Sequence, residues 1–108
     1  MVMVSFKEFQ ELDLRVGKVL SAESVPGADK LYKLSVDMGE KNITLVAGLR
    51  PYYKPEEMKG KKIIVVANLD PVTLRGVRSE GMLLAAQDGN TVSLLTVDKD
   101  VKPGSKIS

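Results

Sequence analysis

An all-β barrel of five strands in Greek-key order is the fold this sequence predicts, and three observations predict it. Turn-forming residues recur every eight to twelve positions, from Pro26-Gly27 and Gly39-Glu40 to Asp88-Gly89-Asn90 and Pro103-Gly104. The stretches between them alternate apolar and polar side chains, and helical signals are confined to two short segments.

The elements follow in order. Ser5-Phe6-Lys7-Glu8 has the spacing of a capping box and predicts a short N-terminal helix ahead of Asp13, with Phe6 and Phe9 packed near that end. Tyr32, Leu34, Val36 and Met38 alternate with Lys33, Ser35 and Asp37, which makes a strand with one apolar and one wet face. Pro55-Glu56-Glu57-Met58-Lys59-Gly60 predicts little more than one helical turn. Proline sets the first φ, the carboxylates sit at the positive end and glycine closes it. Ile63-Ile64-Val65-Val66-Ala67 is apolar on both faces, as in a strand buried on each side. Leu83 to Ala86 and Thr91 to Leu95 flank Asp88-Gly89-Asn90 as a hairpin. Three strands, a short helix and two strands is the order of an oligonucleotide/oligosaccharide-binding (OB) barrel, with the helix plugging the barrel between strands 3 and 4.

Length allows one domain, residues 1–108. Cys 0 and His 0 exclude disulfides, thiolate nucleophiles, zinc ribbons and every His-based triad. Gly76-Val77-Arg78-Ser79-Glu80-Gly81 carries one residue too many for a nucleophile elbow, and no phosphate-cradling glycine loop is present. The adjacent pair Glu56-Glu57 is explained by the helix dipole. These exclusions predict a non-enzymatic protein without cofactor or metal. The longest apolar run falls far short of the roughly 20 residues that span a bilayer, and Met1-Val2-Met3-Val4 is followed at once by polar residues. The expectation is a cytoplasmic protein without a signal peptide.

Net charge is only +2, but its distribution is uneven. Lys41 to Arg78 holds eight basic side chains against three acidic ones, whereas residues 1–40 hold five against seven. The basic middle reads either as a solvated face or as a surface that meets phosphates. Aromatic residues number five (Phe6, Phe9, Tyr32, Tyr52, Tyr53), few for a protein that stacks successive bases of a single strand. Backbone and 2′-hydroxyl contacts on a folded RNA suit such a surface better.

One stretch carries specific content. Asn68 ends a buried strand and either ties down the following loop or faces a ligand. Arg75 and Arg78 flank Gly76 in a loop, where forked guanidinium groups reach phosphate or are simply solvated. Gly81 permits close backbone approach, and Met82 is either a core residue or a ligand-facing one.

Seven blocks in register resemble the tRNA-binding domain family: Asp13 to Val19, Ala28 to Leu34, Val46 to Leu49, Tyr53 to Glu57, Gly60 to Lys62, Asn68-Leu69 and Ser79-Glu80-Gly81-Met82. The family includes free-standing bacterial tRNA-binding proteins and the C-terminal domain or β subunit of methionyl-tRNA synthetase. The resemblance implies an OB barrel that grips tRNA by its folded shape, a homodimer, and RNA contacts at Asn68, Ser79 and Met82. The chain departs from the family at Asp70, Thr73 and Ile43, where a basic residue is usual, and each missing cation implies one phosphate partner fewer. Arg75, Arg78, Arg50 and Lys54 are the compensating candidates. Two rival readings stand beside it, an export-related chaperone of the same barrel that binds unfolded polypeptide and an architectural subunit that docks a synthetase. Apolar Met1 to Val4 and Leu94-Leu95 give the dimer a motive of its own.

Overall fold

The computed structural model describes Met1 to Ser108. A capped helix α1 (Phe6–Gln10) precedes β1 (Leu14–Ser24), β2 (Tyr32–Asp37) and β3 (Asn42–Ala47). A one-turn helix α2 (Pro55–Met58) leads to β4 (Lys62–Val66), and six short strands follow. These are β5 (Val72–Leu74), β6 (Val77–Ser79), β7 (Met82–Leu83), β8 (Ala85–Asp88), β9 (Thr91–Leu94) and β10 (Lys106–Ile107). The main sheet runs β3-β2-β1-β4-β7 with β10 on β1, and β5-β6 and β8-β9 are separate hairpins.

Both capping predictions hold. The Glu8 N–H donates to Ser5 Oγ at 3.1 Å and the Ser5 N–H to Glu8 Oε1 at 3.2 Å. At α2, Pro55 occupies the first turn, the Lys54 N–H donates to Glu57 Oε1 at 2.8 Å, and Met58 is completely buried. Met58 is the plug: α2 lies against β1, where the Gly60 N–H donates to the Val19 carbonyl and the Val19 N–H to the Lys61 carbonyl.

The barrel curves because β1 is long and irregular. Its first half pairs with β4 and its second with β2, and the register slips between Val19 and Ser21, a bulge that bends the strand. Alternate residues of β2 and β3 turn inward, and Leu34, Val36, Ile43 and Leu45 meet Val19, Ile63, Val65 and Met58 in one core. On the far side closure is not a strand ladder. The Glu80 N–H donates to the Thr44 carbonyl at 2.8 Å, and the Val46 N–H to Ser79 Oγ at 3.0 Å.

The predicted fifth strand is thus divided. Residues beyond β4 form an arm, β5-β6, before returning at β7, and the hairpin expected after Leu83 is β8-β9, turning at Gly89-Asn90. One packing expectation is corrected. Phe6 is 72% and Phe9 41% exposed, because α1 buries no residue; the two rings stand 6.3 Å apart and line an open depression with Leu12, Leu14 and Ile107.

Candidate nucleic-acid interface

The arm between β4 and β7 is built by its turn. Leu74 pairs with Val77, which leaves Arg75-Gly76 as a two-residue connection with φ of 50° and 80°, the doubly positive pattern of a type I′ turn. Glycine adopts this freely; an arginine there carries roughly 1–2 kcal/mol of backbone strain. Arg75 therefore sits at the tip, exposed and held in an unfavourable conformation.

Pairing also fixes which side chains share a face. Thr73 lies opposite Arg78, so both stand on one side of the arm, while Val72, Leu74, Val77 and Ser79 occupy the other. Ser79 is only 6% exposed and Val77 is half-buried, so β6 turns this side to the barrel and Arg78 projects away from it, whereas Val72 and Leu74 of β5 are exposed. Arg75 and Arg78 are brought together on one projecting hairpin.

The side chains of exposed Asn68 and buried Ser79 both hydrogen-bond to the backbone. Asn68 Oδ1 accepts from the Asp13 N–H at 2.8 Å and Nδ2 donates to the Glu11 carbonyl at 2.7 Å. The amide ties down not the loop that follows it, one of its two sequence readings, but the α1-β1 junction across the chain. The Ser79 hydroxyl accepts from the Val46 N–H and donates to the Gly81 carbonyl at 3.0 Å. Gly81 is required where it is, since a Cβ there would lie 2.8 Å from the Val66 carbonyl oxygen.

Arg50 and Lys54 form a second group, on the loop from β3 to α2. The Arg50 N–H donates to the Lys30 carbonyl at 3.2 Å and Nη1 to the Ala28 carbonyl at 3.1 Å, which fastens this loop to the one joining β1 and β2. The other guanidinium donors and the Lys54 side chain face solvent. Exposed Met82 lies in a groove with Tyr52 of the same loop, beside this second group. Sequence reasoning did not single out Tyr52; its place in the Pro51-Tyr52 turn, where a side chain seldom finds cover, was the available signal.

A projecting cationic hairpin on an OB barrel, closed by Ser79 and Gly81, is the geometry against which relatives can be compared. Residues 14–106 match the family described as "Putative tRNA binding domain". The chain belongs to the tRNA binding domain family. It is 57% identical over 107 residues to a methionine–tRNA ligase of Pyrococcus horikoshii and 50% identical over 105 residues to that of Thermotoga maritima. These alignments cover 99% and 97% of the chain but only 15% and 17% of the relatives. The crystal structure of a MetRS related protein from Pyrococcus horikoshii superposes with a TM-score of 0.94 at 38% identity, covering all of both chains. A chaperone CsaA from Bacillus anthracis superposes with a TM-score of 0.89 at 33% identity, over 99% of this chain and 100% of the other.

Within this tRNA binding domain the three departures at usually basic positions differ in place. Asp70 and Thr73 are exposed on the arm, and Thr73 faces Arg78, where a cation would have doubled the charge of that face. Ile43 is buried in the core with its side chain pointing inward. The expectation that isoleucine there deprives the surface of a phosphate-binding cation is therefore corrected. No helix of the domain is long and apolar enough to cross a membrane.

Proposed function

We propose that the chain binds folded tRNA as a homodimer without catalysing a reaction, in the cytoplasm, acting in trans or as a methionyl-tRNA synthetase β subunit. The observation that carries the reading is the β5-β6 arm. Two guanidinium groups stand off the barrel there with no acidic partner among the ion pairs, and one is kept at a strained turn position. Phosphate is the group such forks recognise, and a shape-reading surface needs cations on projecting elements more than stacked rings. The relatives named methionine–tRNA ligase support a synthetase as partner. The homodimer draws support from the N-terminal arm, where Met1, Val2, Met3, Val4, Phe6 and Leu12 are all exposed. Leu95 is exposed as well, whereas Leu94 packs against the core.

The test is a titration of folded tRNA against the same RNA heat-denatured, at several salt concentrations. Preference for the folded form with a steep salt dependence is expected. Equal binding of both forms defeats shape recognition. Light scattering should return twice the 11.8 kDa of one chain.

A second reading rests on the likeness to chaperone CsaA: the barrel holds unfolded polypeptide. A permanently unfolded protein that competes with tRNA, or binds when tRNA does not, decides for it. Capture of a synthetase without salt-sensitive tRNA retention decides for a docking subunit.

A further inference from the structure

An open groove of about 430 Å³, lined mainly by apolar residues but exposing as much polar as apolar surface, lies between the end of β3 and strands β7, β8 and β9. Ala47, Leu49 and Leu83 are buried in its floor, while Tyr52 and Met82 are 43% and 40% exposed. Gly48 also lines it, and nothing in the fold demands a glycine there. Its φ lies outside the left-handed region, and the nearest atom to an added Cβ is the Lys30 carbonyl oxygen at 3.9 Å. Neither conformation nor crowding within the chain excludes a side chain at this position on the groove's rim.

Tyr52 has a second neighbourhood. It also lines an adjoining depression with Arg50, Tyr53, Lys54 and Glu57. Glu57 is the opposing charge, and one of its oxygens is engaged by the Lys54 N–H. The tyrosine thus stands between a groove lined mainly by apolar residues and two cations. A nucleotide has the same two parts, a flat apolar base and an anionic phosphate beside it. An apolar polypeptide segment has no use for the cations.

We propose that this groove takes one unstacked nucleobase of an RNA strand, laid against the Tyr52 ring and the Met82 thioether, with the adjoining phosphate met by Arg50 and Lys54. The inference rests on the reading of the chain as an RNA binder and adds a base contact to a surface otherwise suited to shape. The volume lies within the roughly 300–1,000 Å³ of small-ligand sites. Stacking of this kind tolerates any base, so it conflicts with no lack of sequence preference.

Fluorescence anisotropy with a short oligouridylate and an abasic ribose-phosphate oligomer of equal length tests it. The unmodified chain should prefer the oligouridylate by about tenfold, the effect of one stacked base. Tyr52→Ala and Gly48→Leu should bring the preference close to one, and Tyr52→Phe should keep it. If Gly48→Leu fails to fold, Tyr52→Ala carries the comparison. Equal binding of the two oligomers by the unmodified chain overturns the proposal. So does a Gly48→Leu variant that turns a dimer into a monomer, which makes the groove an interface between copies, or one that loses only an apolar peptide. Folded tRNA titrated in parallel separates the two levels: tRNA retained without base preference overturns this inference alone, whereas tRNA not bound at all overturns the reading beneath it.

Discussion

Ser79 Oγ accepts a hydrogen bond from the Val46 N–H at 3.0 Å, and this bond, with those between Glu80 and Thr44, closes the barrel beside β3, which no continuous ladder joins to β6. One hydroxyl satisfies two buried backbone groups, because it also donates to the Gly81 carbonyl at 3.0 Å. The arm that bears Arg75 and Arg78 is therefore rooted at the residue that seals the core. A side chain placed by resemblance among the RNA contacts has a structural duty that the sequence pattern does not display.

Ser79→Ala should destabilise the fold by about 1–3 kcal/mol, since the Val46 N–H is left without its partner in a dry setting. Urea unfolding measures this. Affinity for tRNA, corrected for the folded fraction, should stay within twofold, a small effect beside the removal of a charge-assisted hydrogen bond. Full stability with binding abolished would instead place the hydroxyl on the RNA.

Asn68→Ala should free α1. The amide holds the Glu11 carbonyl at 2.7 Å and the Asp13 N–H at 2.8 Å, and α1 buries no residue that could hold it otherwise. Amide exchange across residues 6–13 should quicken, with melting lowered and tRNA binding weakened as a consequence. Asn68→Asp should be worse than alanine, because it sets a negative oxygen against the Glu11 carbonyl where a donor was. Unchanged exchange in α1 together with weakened binding would show a direct contact.

The architecture is legible in the sequence because it depends on patterns that sequence carries openly. The alternation from Tyr32 to Met38, the doubly apolar run at Ile63 and the two capping signals each appear where expected. Residues whose meaning is set by distant partners are not legible. Asn68 reads as a loop amide until Glu11, 57 positions away, is beside it. Ile43 occupies a position that is usually basic in the family, yet strand register turns it into the core. The apolar rings of Phe6 and Phe9 predict packing, but the five-residue α1 leaves both exposed.

Arg75→Asn should separate stability from binding. Asparagine tolerates positive φ better than arginine, so the variant should be more stable by up to about 1 kcal/mol. It should also bind every tRNA more weakly, with a salt slope smaller by about one. Arg78→Glu, on the outward face of the arm, should weaken binding for all acceptors alike without relieving any strain, because its backbone is regular strand. Selective loss for one tRNA contradicts shape reading. A gain in stability with unchanged binding would leave the strained tip without a functional reason.

Acid should loosen the segment that follows β9, and the direction follows from one carboxylate. Asp100 accepts a hydrogen bond from Lys62 Nζ, which also donates to the Val101 carbonyl, and Thr96 Oγ1 donates to the Lys62 carbonyl at 2.7 Å. That bond and the lysine's charge hold the Asp100 carboxyl below its ordinary 3.8, with Lys18 adding a little in the same direction. A carboxylate whose pKa is depressed by folding stabilises the fold above its unfolded value, and the contribution disappears as pH falls through the folded one. The loss therefore lies below about pH 4 and none is expected near neutrality. Asp100 is fully exposed, so high salt should shrink the effect. An NMR titration of the Asp100 side-chain carboxyl reads it directly. The midpoint should sit below 3.8 in the unmodified chain and return to that value in Lys62→Met. A midpoint already at the ordinary value, insensitive to the lysine, would mean that the staple does not hold the segment in solution.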